Sequence, residues 1–197
     1  MSKQTWKGSA LLAPLPPALV TCGTMEDADI LTVGWTGIIN SHPPKTYVSI
    51  RPERYSYNLI KRTGEFAINL PTRKLVRCVD YCGVRSKRDT DKLCDCNLHI
   101  EKGVEIDAPI LVESPVNLEC RVFDVISLGT HDMFLADILS VRVEEDLIDN
   151  EGKLRLNRCS PIAYSHGEYY ALGDRLGKFG YSVKKKKSTR RTQGKKG

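Results

Sequence analysis

The chain has 197 residues, 41% of them hydrophobic and 27% charged, the balance of a globular protein that buries a core without staples. Its formal charge of +6 is concentrated at the end: residues 184–197 hold eight Lys or Arg and no acid, so the preceding body is slightly acidic, which argues against a dedicated nucleic-acid surface. No apolar run approaches the roughly 20 residues of a membrane span, and the start lacks a secretory pattern, so a cytoplasmic protein is expected. Seven cysteines, an odd set without a CxxC, fit reduced thiols better than a disulfide framework.

In chain order, residues 18–24 and 29–35 are β-rich runs around an acidic turn and read as a hairpin. Ser41-His-Pro-Pro is a strong breaker, because two prolines remove two donors and fix two φ angles. Residues 46–51 follow as a third strand. Residues 55–63 carry apolar side chains at helical spacing and stop at Gly64; residues 66–70 form another strand, closed by Pro71. Residues 74–81 read as a helix ended by Gly83. Residues 87–96 are polar and irregular, with room for one helical turn. Two longer strands, 116–126 and 133–143, are joined by a short connection and make an antiparallel hairpin. Late strands are expected at 162–164 and from Tyr169. Strands outnumber helices and arrive in neighbouring pairs, so the expected class is mainly β, an antiparallel barrel with peripheral helices. It forms one domain over residues 1–183, followed by a disordered basic tail at 184–197.

The sequence has no GxGxxG after a strand, GxxxxGK[ST], GxSxG or HExxH, which argues against a Rossmann dinucleotide site, a P-loop, an α/β-hydrolase and a zincin. What remains is dense chemistry between residues 31 and 69. A phosphate monoester wants permanent cations, hydroxyl donors and free N–H groups at a turn or helix start. Arg51, Arg54 and Ser56 supply these at the start of the first helix. Thr32, Thr36, Asn40 and Ser41 place polar groups on otherwise apolar strands. Trp35, Gly34, Gly37 and the Pro43-Pro44 break could build a flat slot for a conjugated ring such as isoalloxazine. Each has a plainer account: solvated arginines at a helix start, a core tryptophan, an exposed turn histidine at His131 and a simple turn at His166. A thiolate metal site from Cys78, Cys82, Cys94 and Cys96 matches no strong spacing, and idle thiols are the better account.

The ordered set Thr32-Val-Gly-Trp, Asn40-Ser-His-Pro-Pro, Ser49-Ile-Arg-Pro-Glu-Arg and Gly64-Glu-Phe-Ala-Ile-Asn resembles the flavin reductase-like family, and within it the flavoredoxin-type members. The likeness continues through Asp80-Tyr-Cys-Gly-Val-Arg-Ser, Gly129-Thr-His-Asp-Met-Phe and Ala163-Tyr-Ser-His-Gly-Glu-Tyr-Tyr. It spans roughly residues 10 to 183. The resemblance implies an FMN-binding split barrel working as a homodimer. It implies flavin and phosphate contacts from Thr32, Val33, Gly34, Trp35, Thr36, Asn40 and Ser41, and from Arg51, Arg54, Tyr55 and Ser56. Cys82, Gly83 and Lys92 would approach the ring, with Cys82 a candidate redox thiol, and His131 would lie near the reactive face.

The implied activity is transfer of electrons from NADH or NADPH through FMN to free flavin, ferric iron or a protein acceptor. The alternative is an FMN-bearing carrier reduced by a ferredoxin-like or hydrogenase partner, without nicotinamide activity. A third reading, a cofactor-free module touching nucleic acid through the tail, ranks last.

Overall fold

The run at 18–22 forms β1 (Ala18–Cys22), and β2 (Asp29–Val33) returns antiparallel beside it. Gly23 opens the connection at φ +86°, where a Cβ would lie 2.1 Å from the carbonyl oxygen of Asp27, so only glycine fits. This is the computed structural model of the chain, and it describes residues 1–183; the expected disordered tail lies outside the described residues.

The next strands are β3 (Thr36–Ser41) and β4 (Pro44–Ile50), an antiparallel pair joined through His42 and Pro43. The expected break at Ser41-His-Pro-Pro is therefore the tight turn of a hairpin. Pro44 causes no loss there because it stands at the first position of its strand. Helix α1 (Tyr55–Thr63) ends as expected at Gly64, which caps it at φ 70° and donates its N–H to the Ile60 carbonyl at 2.8 Å. Strand β5 (Glu65–Asn69) follows, then α2 (Val76–Val84), entered through a 3-10 turn at Arg73–Leu75. Gly83 does not end α2 as the sequence suggests; Arg85 caps it, and Gly83 lies against Thr32. One helical turn, α3 (Lys92–Asp95), sits in the polar stretch, N-capped by Asp91, which accepts from the Cys94 N–H at 3.1 Å.

Strands β6 (Ile100–Lys102) and β7 (Pro109–Leu111) form a small hairpin that local pattern does not announce. Side chains dock it instead: Asn69 accepts from the Leu111 N–H at 3.0 Å, and the Asn117 amide donates to the Leu111 carbonyl at 2.9 Å. The long hairpin β8 (Val116–Ser127) and β9 (Asp132–Val143) comes next. Last is β10 (Ile162–Ser165) with β11 (Glu168–Ala171), whose turn residues His166 and Gly167 both have positive φ.

Seven strands make one antiparallel sheet in the order β2-β1-β5-β8-β9-β4-β3. The chain leaves β2 at Val33 and enters β3 at Thr36, so two residues carry it from one edge of the sheet to the other. Such a short link demands that the edges meet, and the sheet must curl on itself. The Ser49 N–H donates to the Trp35 carbonyl at 3.0 Å and pins this crossing. The result is a split barrel, as expected from the sequence. Its interior holds Val20, Leu31, Val48, Phe66, Phe134 and their neighbours. The other face of β1 and β2, through Leu19 and Ile30, packs on α2 and the turn that enters it, through Leu75, Val79 and Cys82. β1 is buried on both faces along its whole length, its one polar side chain, Thr21, donating to the Pro109 carbonyl at 2.5 Å.

Candidate functional site

Where the barrel edges meet, the wall opens into a cleft of about 360 Å³. One side is the end of β2 and the crossing, Leu31 to Trp35; the other is the end of β4, Ser49 to Arg51. At one end the Trp35 ring meets His131, centroids 4.5 Å apart and planes tilted by 40°. Trp35 is 42% exposed, so it walls the cleft and is not core. His131 is brought there by the loop between β8 and β9. Loss of hydration lowers its basicity, and Arg51 and Arg54 lower it further, partly opposed by Glu53. The imidazole is therefore neutral at pH 7. Its titration followed by NMR should have a midpoint below the ordinary 6.5 and move up in Arg51→Ala, since a nearby cation is removed.

Four further lining residues were not singled out from the sequence. Asp80 and Val84 come from α2, and Tyr164 and Tyr169 from the late hairpin. The Tyr169 hydroxyl donates to Asp80 at 3.3 Å, and its ring lies 5.3 Å from that of Tyr164. Burial, reinforced by the Asp80 carboxylate, pushes the Tyr169 phenol up to about 12, so it keeps its proton as a donor. Nothing local in Ala163-Tyr-Ser-His-Gly-Glu-Tyr marks these tyrosines as lining a site; only the docking of the hairpin brings them in.

Next to the cleft lies a second pocket of about 330 Å³, and Leu31, Arg51 and Arg54 line both. Its walls include Tyr55, Ser56, Arg85, Ser86, Arg88 and Lys92. It adjoins the N-terminus of α1, a helix with no acidic residue in its first turn and no side-chain cap. The helix end, the guanidinium forks and the local turn together make a strong attractor for a phosphate. Beneath it lies a buried ion pair: Lys92 Nζ sits 2.8 Å from Asp29 Oδ1, with side chains 3% and 1% exposed. The Ser56 hydroxyl donates to the other Asp29 oxygen.

The expected residues divide accordingly. Thr32, Val33, Gly34, Trp35, Gly83 and His131 line the cleft; Arg51 and Arg54 line both spaces, and Tyr55 and Ser56 the basic pocket. Lys92 lines the basic pocket and not the ring cleft, and its charge is held by Asp29. Thr36, Asn40 and Ser41 are not brought to this cleft, because β3 runs away from the crossing along β4. Thr36 donates to the Tyr47 carbonyl at 2.6 Å, and Asn40 to that of Pro43 at 2.7 Å. Cys82 is sealed in the core behind Gly83, and burial pushes its thiol up to about 11. Cys96 beside it rises to about 12 for the same reason, which makes both poor nucleophiles. All seven cysteines are free thiols, and no group of three His, Cys, Asp or Glu among the described residues is placed to hold a metal ion.

The flavin reductase-like domain model matches residues 11–173, and the chain belongs to that family. Among solved structures, flavoredoxin of Desulfovibrio vulgaris (Miyazaki F) superposes with a TM-score of 0.85 at 31% identity, covering 93% of this chain and 100% of that one. Flavoredoxin from Methanosarcina acetivorans gives 0.82 at 26% identity, with 93% and 100% covered. An NADPH-flavin oxidoreductase of Streptomyces viridifaciens is 27% identical over 141 residues, 69% of this chain and 70% of that protein. The fold is that of the flavin-binding split-barrel proteins, and the family is one of oxidoreductases. Among the described residues no helix is long and apolar enough to cross a membrane.

Proposed function

We propose that the chain binds FMN and passes electrons through it, taking them from a reduced nicotinamide and giving them to free flavin, ferric iron or a protein acceptor. The observation that carries this reading is the adjacency of the two spaces, which share Leu31, Arg51 and Arg54 as lining. An apolar and aromatic cleft suited to a flat ring lies beside a basic pocket at a helix N-terminus, with Arg51 and Arg54 bordering both.

The residues present fit the cofactor. Leu31, Val33 and Ile50 offer an apolar face, Trp35 and His131 an aromatic end, and the two arginines a seat for the phosphate. FMN when bound would supply the two-electron chemistry, and no side chain need serve as acid or base. The protein's part is to hold the ring, exclude water and set the local charge. His131, its basicity lowered, disfavours a cation at the ring edge, while the Tyr169 hydroxyl, its proton directed at Asp80, and the Asp80 carboxylate present acceptors to whatever stacks there.

The likeness to two flavoredoxins favours a second reading, an FMN-bearing carrier reduced by a ferredoxin-like partner. A visible spectrum of the FMN-loaded protein, followed anaerobically, separates the two. Rapid bleaching on adding NADH or NADPH is expected; bands that persist until dithionite is added would favour the carrier. A protein that takes up no FMN would overturn both.

We also infer that it works as a homodimer in the cytoplasm. Ile38, Phe123 and Leu128 stand 66%, 47% and 59% exposed around the β3–β4 and β8–β9 ends, and Leu176 and Phe179 of the last described segment are fully exposed. Apolar side chains in that number call for a partner surface, and a second copy would cover them and wall the shallow cleft. Sedimentation equilibrium should give twice the 22.1 kDa chain mass, and Ile38→Asp should shift it toward one chain. A wild-type monomer at micromolar concentration would count against it.

A further inference from the structure

His131 stands against Trp35, yet the turn that carries it is exposed. Leu128, Gly129 and Thr130 all face solvent, and the Leu128 N–H closes the turn on the His131 carbonyl at 2.9 Å. Among the described residues the imidazole has two partners: the Thr130 hydroxyl, 3.0 Å from Nδ1, and the Trp35 ring. An exposed turn with so few contacts does not fix a ring by itself. Its root does.

At that root Asp132 opens β9, opposite Ser127 of β8 on one side and Ile50 of β4 on the other. It is buried, and its carboxylate takes two hydroxyl bonds. Tyr57, from the first turn of α1, donates to Oδ2 at 2.6 Å, and Ser127 donates to Oδ1 at 2.8 Å. These two bonds, Tyr57 foremost, hold the carboxyl below its ordinary range, with a smaller pull from the Lys61 ammonium. Asp132 therefore stays an anion. An ionised carboxylate only accepts, so each hydroxyl has one direction in which to point and the clamp has one arrangement. Tyr57 is itself fixed: it is buried, and its ring meets that of Phe134 edge-on at 5.3 Å. None of these three residues lines the cleft, so what they do to it passes through His131.

We propose that Asp132 is a positioning residue for the aromatic end of the cleft: clamped by Tyr57 and Ser127, it fixes the turn that sets His131 against Trp35. Its consequence for electron transfer rests on the reading of the chain as an FMN-dependent oxidoreductase, whereas the placement of His131 does not. With the clamp cut, the imidazole swings out into water, regains its basicity and leaves the end of the cleft open.

The test uses Tyr57→Phe, which removes one hydroxyl and keeps the ring on Phe134, and Ser127→Ala, which removes the other from an exposed strand end. Neither variant changes a charge, so a shift in the His131 titration reports movement of the ring. Followed by NMR, with His131→Gln to identify the signal, the midpoint should rise toward the ordinary 6.5 in both variants. Lost hydration is the main cause of its lowering, so regained hydration decides the sign; the ring also leaves Arg51 and Arg54, and Glu53, which opposes them. Reduction of bound FMN by a reduced nicotinamide should slow on the order of tenfold in Tyr57→Phe and in His131→Gln, as for a misplaced wall. The double variant should be no slower than His131→Gln alone, because Tyr57 acts through His131. A midpoint unchanged in both variants overturns the proposal even where Tm falls, since the clamp then serves stability only. Losses that multiply in the double variant overturn it too. Ser127→Ala carries the titration where Tyr57→Phe fails to fold. If no nicotinamide reduces the flavin, the oxidoreductase reading fails, while titration of the ligand-free protein still decides whether the clamp places His131.

Discussion

Replacing Arg54 with alanine should weaken FMN by about 10- to 100-fold while changing riboflavin affinity by less than about threefold. The size follows from the loss of one or two charge-assisted hydrogen bonds, each worth about 1.5–3 kcal/mol. The selectivity follows from the ligands, since riboflavin has the ring and the ribityl chain but no phosphate. Arg54 is the better target of the two junction arginines because it has no carboxylate partner among the described residues, whereas Arg51 has Glu53 at 3.4 Å. Arg51→Ala should therefore cost less. Fluorescence quenching titrations with both ligands measure the difference. Equal losses for FMN and riboflavin would remove the phosphate from this pocket.

Removing Asp29 should destabilise the protein by about 3–5 kcal/mol, because it strands a buried lysine without its counter-charge. Lys92 Nζ is 2.8 Å from the carboxylate and only 3% exposed, and the Ser56 hydroxyl loses its acceptor at the same time. The loss falls on the floor of the basic pocket, where α1 and α3 meet β2, so FMN affinity should drop in the same variant. Chemical denaturation of Asp29→Ala against wild type gives the stability. The double variant Asp29→Ala/Lys92→Met should recover much of it, because neither charge is then left buried alone. A double variant as unstable as the single one would mean that packing, and not the ion pair, carries the effect.

Much of this architecture could be read along the chain. The strands β1, β2, β5, β8 and β9, the helix α1 with its Gly64 cap and the late hairpin follow from apolar runs and turn residues close by in sequence. The cationic helix start at Arg51 and Arg54 was legible too, because a helix start and two cations lie within six positions. His131 is a different case. Its turn is local, but its meeting with Trp35 joins loops nearly a hundred residues apart, and only the resemblance pointed to it.

The misses share one cause. The role of Lys92 depends on Asp29, some sixty residues earlier; the walls given by Asp80, Tyr164 and Tyr169 depend on where α2 and the last hairpin dock. Likewise, β6 and β7 are held by Asn69 and Asn117, and Gly83 lies within its helix, against Thr32 of β2.

The sequence by itself determined the local elements, the absence of familiar nucleotide motifs, the cationic helix start and the family, since each depends on residues near one another or on their order. Only the tertiary structure decided that the two edges of the sheet meet at Gly34 and Trp35, and that the cleft there lies beside the basic pocket. It also decided that Lys92 and Ser56 belong to Asp29 and that Cys82 is sealed. The physical reason is that cavities, buried ion pairs and burial itself are properties of several elements at once, and no single stretch of chain encodes where the others will pack.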